Sequence, residues 1–171
     1  DELKGNVKMV LPVGVAWGAK TDSQRVGDIL VASKFVDAGH VRAGGNLEIR
    51  GDVRTSPLAD TVNSFVCAAW PSNSETHFGE SIRIPEHPRR PKAHVGTVIS
   101  LPELIDDKKR ATSLIEHHQI APHKPIGGEM ELNQIAAAAA AHRTPWLLSK
   151  AVSDYAGLDG VDKEEHRRDQ P

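Results

Sequence analysis

Pro125-Ile126-Gly127-Gly128-Glu129-Met130-Glu131-Leu132-Asn133-Gln134-Ile135 runs straight into six consecutive alanines, Ala136 to Ala141. Alanine is the strongest helix former, so the stretch predicts a glycine-opened helix over Gly128 to His142. Its small side chains would let it sit close against a sheet. Thr144-Pro145 ends it, because the residue before a proline is pushed out of helical geometry. Trp146-Leu147-Leu148-Ser149-Lys150-Ala151-Val152 follows, apolar on both faces apart from Ser149 and Lys150. Such a run predicts a central strand covered on both sides. It ends on Ser153-Asp154. A carboxylate at a helix start, Glu129 or Glu131, and another at a strand end, Asp154, can meet in one crevice. The two glutamates are two positions apart and point to nearly opposite sides of a helix, so only one would readily face it.

Working outward, three further strands are predicted. Asn6 to Val13 is a short apolar run, and Pro12 marks where its hydrogen bonding stops. Gly14-Val15-Ala16-Trp17-Gly18 then reads as a tight loop whose glycines let backbone approach a ligand or another strand. Gln24 to Asp28 is turn chemistry ahead of a second strand, Ile29 to Ser33. Asp37 to Arg54 reads as a long loop or a weak hairpin. Pro57 to Phe65 fits an amphipathic helix with Leu58, Val62 and Phe65 on one face. Trp70 to His94 carries four prolines and reads as a connecting loop. Val95 to Ile99 is the third strand and ends on Ser100. Pro102 to Leu114 begins as a short helix or turn, with Pro102 suited to a first helical position. His117, His118 and His123 lie close together, but no carboxylate or cysteine completes a ligand set at familiar spacing. A solvated loop is the reading kept there, and no metal or other cofactor is expected.

The alternation of strands and helices predicts an α/β layer architecture, three-layer α/β/α around a central mixed, twisted sheet. At 171 residues, residues 1–171 are expected to form one domain with a real core. The net charge of −2 argues against a broad nucleic-acid-binding or membrane-binding face. Cys67 is the only cysteine, which excludes an internal disulfide and fits a reducing compartment, so a cytoplasmic location is expected.

Ligands in open α/β sheets sit outside the carboxyl ends of strands. Gly14–Gly18, Ser100 and Ser153-Asp154 fall at such ends, and the helix start at Gly127–Glu131 could face the same crevice. Two carboxylates in different environments suit glycosidic bond cleavage. One stays ionised beside a sugar that gains positive charge, and the other delivers a proton to the leaving group. The plainer reading of the same residues is that Glu131 caps or solvates the helix and Asp154 caps a turn.

Gly127-Gly128-Glu129-Met130-Glu131, followed by Ser149-Lys150-Ala151-Val152-Ser153-Asp154-Tyr155, resembles the signature of the purine nucleoside phosphorylase and nucleosidase superfamily. Three other pieces are similar to that family's elements and stand in the same order. Val13 to Gly18 is similar to its glycine loop, Val26 to Ala32 to its Gly-Asp-then-strand element, and Gly96 to Ser100 to its G-x-x-x-S strand. The wording is most similar to methylthioadenosine/adenosylhomocysteine nucleosidase-like domains of defence or signalling proteins. The resemblance implies cleavage of the N-glycosidic bond of an adenine-type nucleoside or nucleotide, by hydrolysis ahead of phosphorolysis, with phosphate as co-substrate only in the second case. It implies Glu131 on the ribose hydroxyls, Met130 packed on the sugar and Asp154 sharing a proton with purine N7. Ser153 would place Asp154. Glu129, Ser100 and the loop residues Gly14, Ala16 and Gly18 would line the substrate pocket. It further implies a homo-oligomer, a dimer, trimer or hexamer.

The chain departs from the pattern in places. The family's first strand and its last helix are expected to be missing. Ala16 stands where a serine or threonine is common, and Leu101-Pro102 follow Ser100 in place of glycine and an acidic residue. A non-catalytic nucleoside-binding module and an unrelated α/β domain remain the alternatives.

Overall fold

The computed structural model describes residues 7–21, 23–39, 49, 51–64 and 91–160. Among the described residues there are six strands: β1 (Val13–Gly18), β2 (Ile29–Asp37), β3 (Asp52–Thr55), β4 (Ala93–Ser100), β5 (Gly127–Glu129) and β6 (Leu148–Asp154). Helix α1 covers 59–64, α2 covers Lys108–Ile115 and α3 covers Leu132–Ala141. A 3₁₀ turn, Ala121–His123, lies between α2 and β5. Among the described residues no helix is long and apolar enough to cross a membrane.

The strands form one mixed sheet in the order β3-β2-β4-β5-β1-β6, and β6 also pairs with β2. Strands β2, β4, β5, β1 and β6 therefore close into a ring. Strand β2 makes this possible by dividing one edge between two partners. Ile29 to Ala32 pair with β6, while Lys34 to Asp37 pair with β3. The hand-over falls at Ser33, where the ladder to β4 skips a register step. A bulge of this kind bends and twists a strand, as closure requires.

Helices cover both faces of this sheet. Neighbouring residues on a strand point to opposite sides. Phe35 and Val98 pack with Leu132, Ala136 and Ala139 of α3 and with Trp146. Val36 and Ile99 pack instead with Ala111 and Leu114 of α2. The Phe35 and Trp146 rings meet edge to face, with centroids 5.5 Å apart. A third cluster, Ala16, Leu30 and Val152, joins three ring strands. The architecture is thus the expected α/β/α arrangement with a mixed sheet.

Several elements differ from the sequence expectation. The helix after Pro125 does not open at the glycines. Gly127 and Gly128 lie in β5, between β4 and β1, and helix α3 starts at Leu132. A β-carbon on Gly127 would overlap the Trp17 carbonyl and Leu30, and one on Gly128 would overlap the Trp17 indole. These glycines are there for close strand packing, not for a helix start. Gly14 to Gly18 are likewise a strand, not a loop. The run from Val7 to Pro12 is extended and joins the sheet through single contacts, as when Pro12 accepts the Ser149 N–H at 3.0 Å. Lacking an N–H, Pro12 cannot continue a ladder, so the regular strand begins after it.

Other boundaries move less. The second strand runs on to Asp37, and its partner β3 makes the hairpin reading of Asp37 to Arg54 the correct one where residues are described. Pro102 sits in a bend before α2, whose start is set by Asp107 accepting the Arg110 N–H at 2.8 Å. Phe65 and the proline-rich run up to residue 90 lie outside the described residues.

Candidate active site

Glu129 is the last residue of β5 and is 3% exposed. Its carboxylate accepts the N–H of Glu131 at 2.9 Å and of Leu132 at 3.0 Å. Ser100, with its hydroxyl, stands at the end of β4 and opposite Glu129 in register. The same hydroxyl accepts the Asn133 N–H at 3.0 Å. Glu129 and Ser100 together satisfy the first donors of α3, groups that no helix can satisfy internally. Burial pushes the Glu129 carboxyl above the usual carboxylate range, against the opposing pull of Ser100, the two N–H groups and Lys150.

Glu131 occupies the N-cap position of α3, yet its side chain caps nothing. It receives Lys150 Nζ at 2.5 Å instead, and its side chain is 53% exposed. The hydrogen bond from Lys150 is the main cause that holds its carboxyl below the usual range. Lys150 is 6% exposed and lies 3.7 Å from Glu129 as well. A buried ammonium is costly unless paired, and here two carboxylates pair it. It faces Gly14 across the β1–β6 ladder, where a β-carbon would sit 3.6 Å from Cδ and Nζ of the lysine.

Asp154 ends β6, four residues beyond Lys150. Its Oδ2 accepts the Ser153 hydroxyl at 2.8 Å and its Oδ1 accepts the Ala156 N–H at 2.8 Å. Ser153 Oγ also lies 3.2 Å from the Ala16 carbonyl. Met130, between the two glutamates, is 40% exposed.

The structure therefore gathers Glu129, Glu131 and Gly14 around Lys150, with Ser100 opposite Glu129 on β4, and separately joins Ser153 and Asp154 to the Ala16 backbone. The second group lies further along β6. Four strand residues span roughly 13 Å. The expectation of one crevice outside a common set of carboxyl ends needs correction. Strand β1 is antiparallel to β5, and β6 is antiparallel to β2, so Ser100 and Asp154 end strands that run in opposite senses. The candidate site runs along β6, not across one rim. The Ala16 side chain packs in the core with Leu30 and Val152, and only its carbonyl reaches Ser153. Gly18 makes room for Gln24, whose Oε1 would lie 2.5 Å from a β-carbon there. Among the described residues no group of three or more His, Cys, Asp or Glu could hold a metal ion.

Sequence reasoning overlooked Lys150. Its signal was present: a lone cation inside the apolar run Trp146 to Val152 must find a buried partner. Trp17 was also passed over as part of a glycine loop.

No protein-family model matches the chain. Among solved structures, a 5′-methylthioadenosine/S-adenosylhomocysteine nucleosidase variant of Helicobacter pylori with 5′-methylthioadenosine in its active site superposes with a TM-score of 0.62. It is 18% identical, and the match covers 95% of this chain and 63% of that one. The futalosine hydrolase of the same organism gives a TM-score of 0.60 at 18% identity, covering 95% of this chain and 64% of that one. The fold is therefore the nucleoside phosphorylase-like α/β fold found in purine nucleosidases.

A curated relative is the death domain-containing ATP nucleosidase of Amphimedon queenslandica, 27% identical over 157 residues. That match covers 87% of this chain and 28% of the relative. The chain thus spans under a third of this relative's length and less than two thirds of those solved structures.

Proposed function

We propose that the chain cleaves the N-glycosidic bond of an adenine-type nucleoside or nucleotide by hydrolysis. The observation that carries this reading is the Lys150-held pair of carboxylates at one point of β6 with Asp154 further along the same strand. The fold shared with nucleosidases and the ATP nucleosidase relative support it.

In this reading Glu131, kept ionised by Lys150, accepts the ribose hydroxyls and stabilises positive charge growing on the sugar ring. Met130 packs on the sugar. The bond between C1′ and the base nitrogen breaks with its electron pair going to the base. Asp154 shares a proton with N7 of the departing purine, and Ser153 holds its carboxylate in place. A water oxygen then bonds to C1′, and the proton it loses passes through solvent to restore the one that Asp154 gave to the base. Glu129 and Ser100 anchor the start of α3 and so fix where Glu131 stands. Assembly into a homo-oligomer goes with this reading, and light scattering measures it.

The deciding experiment is chromatographic detection of free adenine from adenosine, methylthioadenosine, adenosylhomocysteine and ATP, each with and without phosphate. Phosphate-independent release supports hydrolysis, and release only with phosphate makes the protein a phosphorylase. Asp154→Asn is expected to slow release by about 10²–10⁴-fold. Full turnover in that variant would remove Asp154 from the mechanism.

A further inference from the structure

Trp17 stands on β1 with Gly128 of β5 on one side and Asp154 of β6 on the other. The Cζ2–Cε2–Nε1 edge of its indole lies over Gly128: a β-carbon there would overlap the six-membered ring and sit 2.7 Å from Nε1. The side chain is 7% exposed and packs with Ile99, Leu101 and Ala156. Ala156 in turn donates its N–H to Asp154. The indole and Asp154 are thus built into one wall.

A buried indole usually finds an acceptor for its N–H. Among the described residues none accepts from Trp17 Nε1, and Nε1 is not one of the atoms sealed from solvent without a partner. The donor is therefore left without a protein partner among the described residues, on the β1 residue that stands in register with Asp154.

We propose that Trp17 is a specificity-determining residue whose Nε1–H donates to a purine ring nitrogen, N1 or N3, that Asp154 does not engage. This rests on the reading of Asp154 as the group that meets the base. Adenine offers acceptors at both positions. In 6-oxopurines N1 carries a proton and would face the indole N–H donor to donor. The indole would thus bias the site toward adenine-type bases wherever it meets N1.

The test is calorimetric binding of adenine, 1-deazaadenine and 3-deazaadenine to the whole chain and to Trp17→Phe, which keeps a packed ring but lacks the donor. One deaza compound is expected to bind the unaltered protein about 10-fold more weakly than adenine. Trp17→Phe should lose the same factor for adenine and show no further loss with that deaza compound. Equal binding of all three ligands to the unaltered protein would overturn the role of Trp17 while leaving base binding intact. That arm decides the matter even if Trp17→Phe fails to fold. A deaza penalty that persists undiminished in Trp17→Phe would assign the donor to another group. Absence of any adenine binding to the unaltered protein would sink the functional reading together with this one.

Discussion

At the scale of single residues, the decisive pair is Lys150 and Glu131, 2.5 Å apart. A lysine inside a strand is retained only where its charge is met, and Glu131 and Glu129 meet it. The pair also keeps Glu131 ionised at a pH where a free glutamate would begin to take up protons. Lys150→Met should therefore move the acid limb of the proposed activity toward higher pH, to the ordinary carboxylate range near 4.3. It should also lower kcat by about 10-fold or more, because the carboxylate loses its fixed position. Lys150→Arg should restore most of both. A pH–rate profile of the three proteins checks this, and an unmoved acid limb in Lys150→Met would show that Lys150 does not set the Glu131 charge. The acidic pair and Asp154 were legible from their places in the sequence. The lysine that organises them was visible as an oddity, but its partners lie 19 and 21 positions away in the chain and are joined to it by tertiary packing.

At the scale of elements, β5 is the piece that local reading misassigned. Gly127-Gly128 ahead of an alanine block looks like the opening of a helix. In the fold it is a three-residue strand wedged between β4 and β1, and α3 starts only where Glu129 can cap it. The cause is contact with Trp17, which no window around residue 128 contains. Gly128→Ala should then cost roughly 1–3 kcal/mol by forcing a methyl group into the indole. Pairing it with Trp17→Leu should recover part of that loss, since residues in contact do not act additively. Urea unfolding of the two single variants and the double variant measures the coupling. Strict additivity would mean that Gly128 is needed for its backbone alone.

At the scale of the whole molecule, two carboxylates of one cluster pull stability in opposite directions with pH. The Glu129 folded value is raised, so protonation favours the native state. Its contribution is complete below about pH 4.3, the unfolded value, and is lost as pH rises through the raised folded value. The Glu131 folded value is lowered, so its contribution is present above about pH 4.3 and is lost as pH falls through the folded value. Glu129→Gln should flatten stability against pH on the upper side of that point, where one proton is worth at most about 1.4 kcal/mol per pH unit. It should leave the acid side sloping. Denaturant titrations across the range check this, and an unchanged upper slope would show that burial of Glu129 is not its source.

What the sequence determined by itself was local: where chain turns, where it is apolar on both faces, where alanines make a helix and which strand end carries an acid. These follow from side-chain periodicity and turn chemistry within a dozen residues, and they sufficed for the α/β class and for the positions of Glu131 and Asp154. Only the tertiary structure decided that β6 closes the sheet onto β2, that two glycines form a strand beneath an indole, and that a buried lysine holds the acidic pair. Gln24, for instance, donates to the carbonyl of Ile126, 102 positions away. Pairings at that distance are chosen by how the whole chain excludes water and satisfies its backbone, and no local pattern encodes that choice.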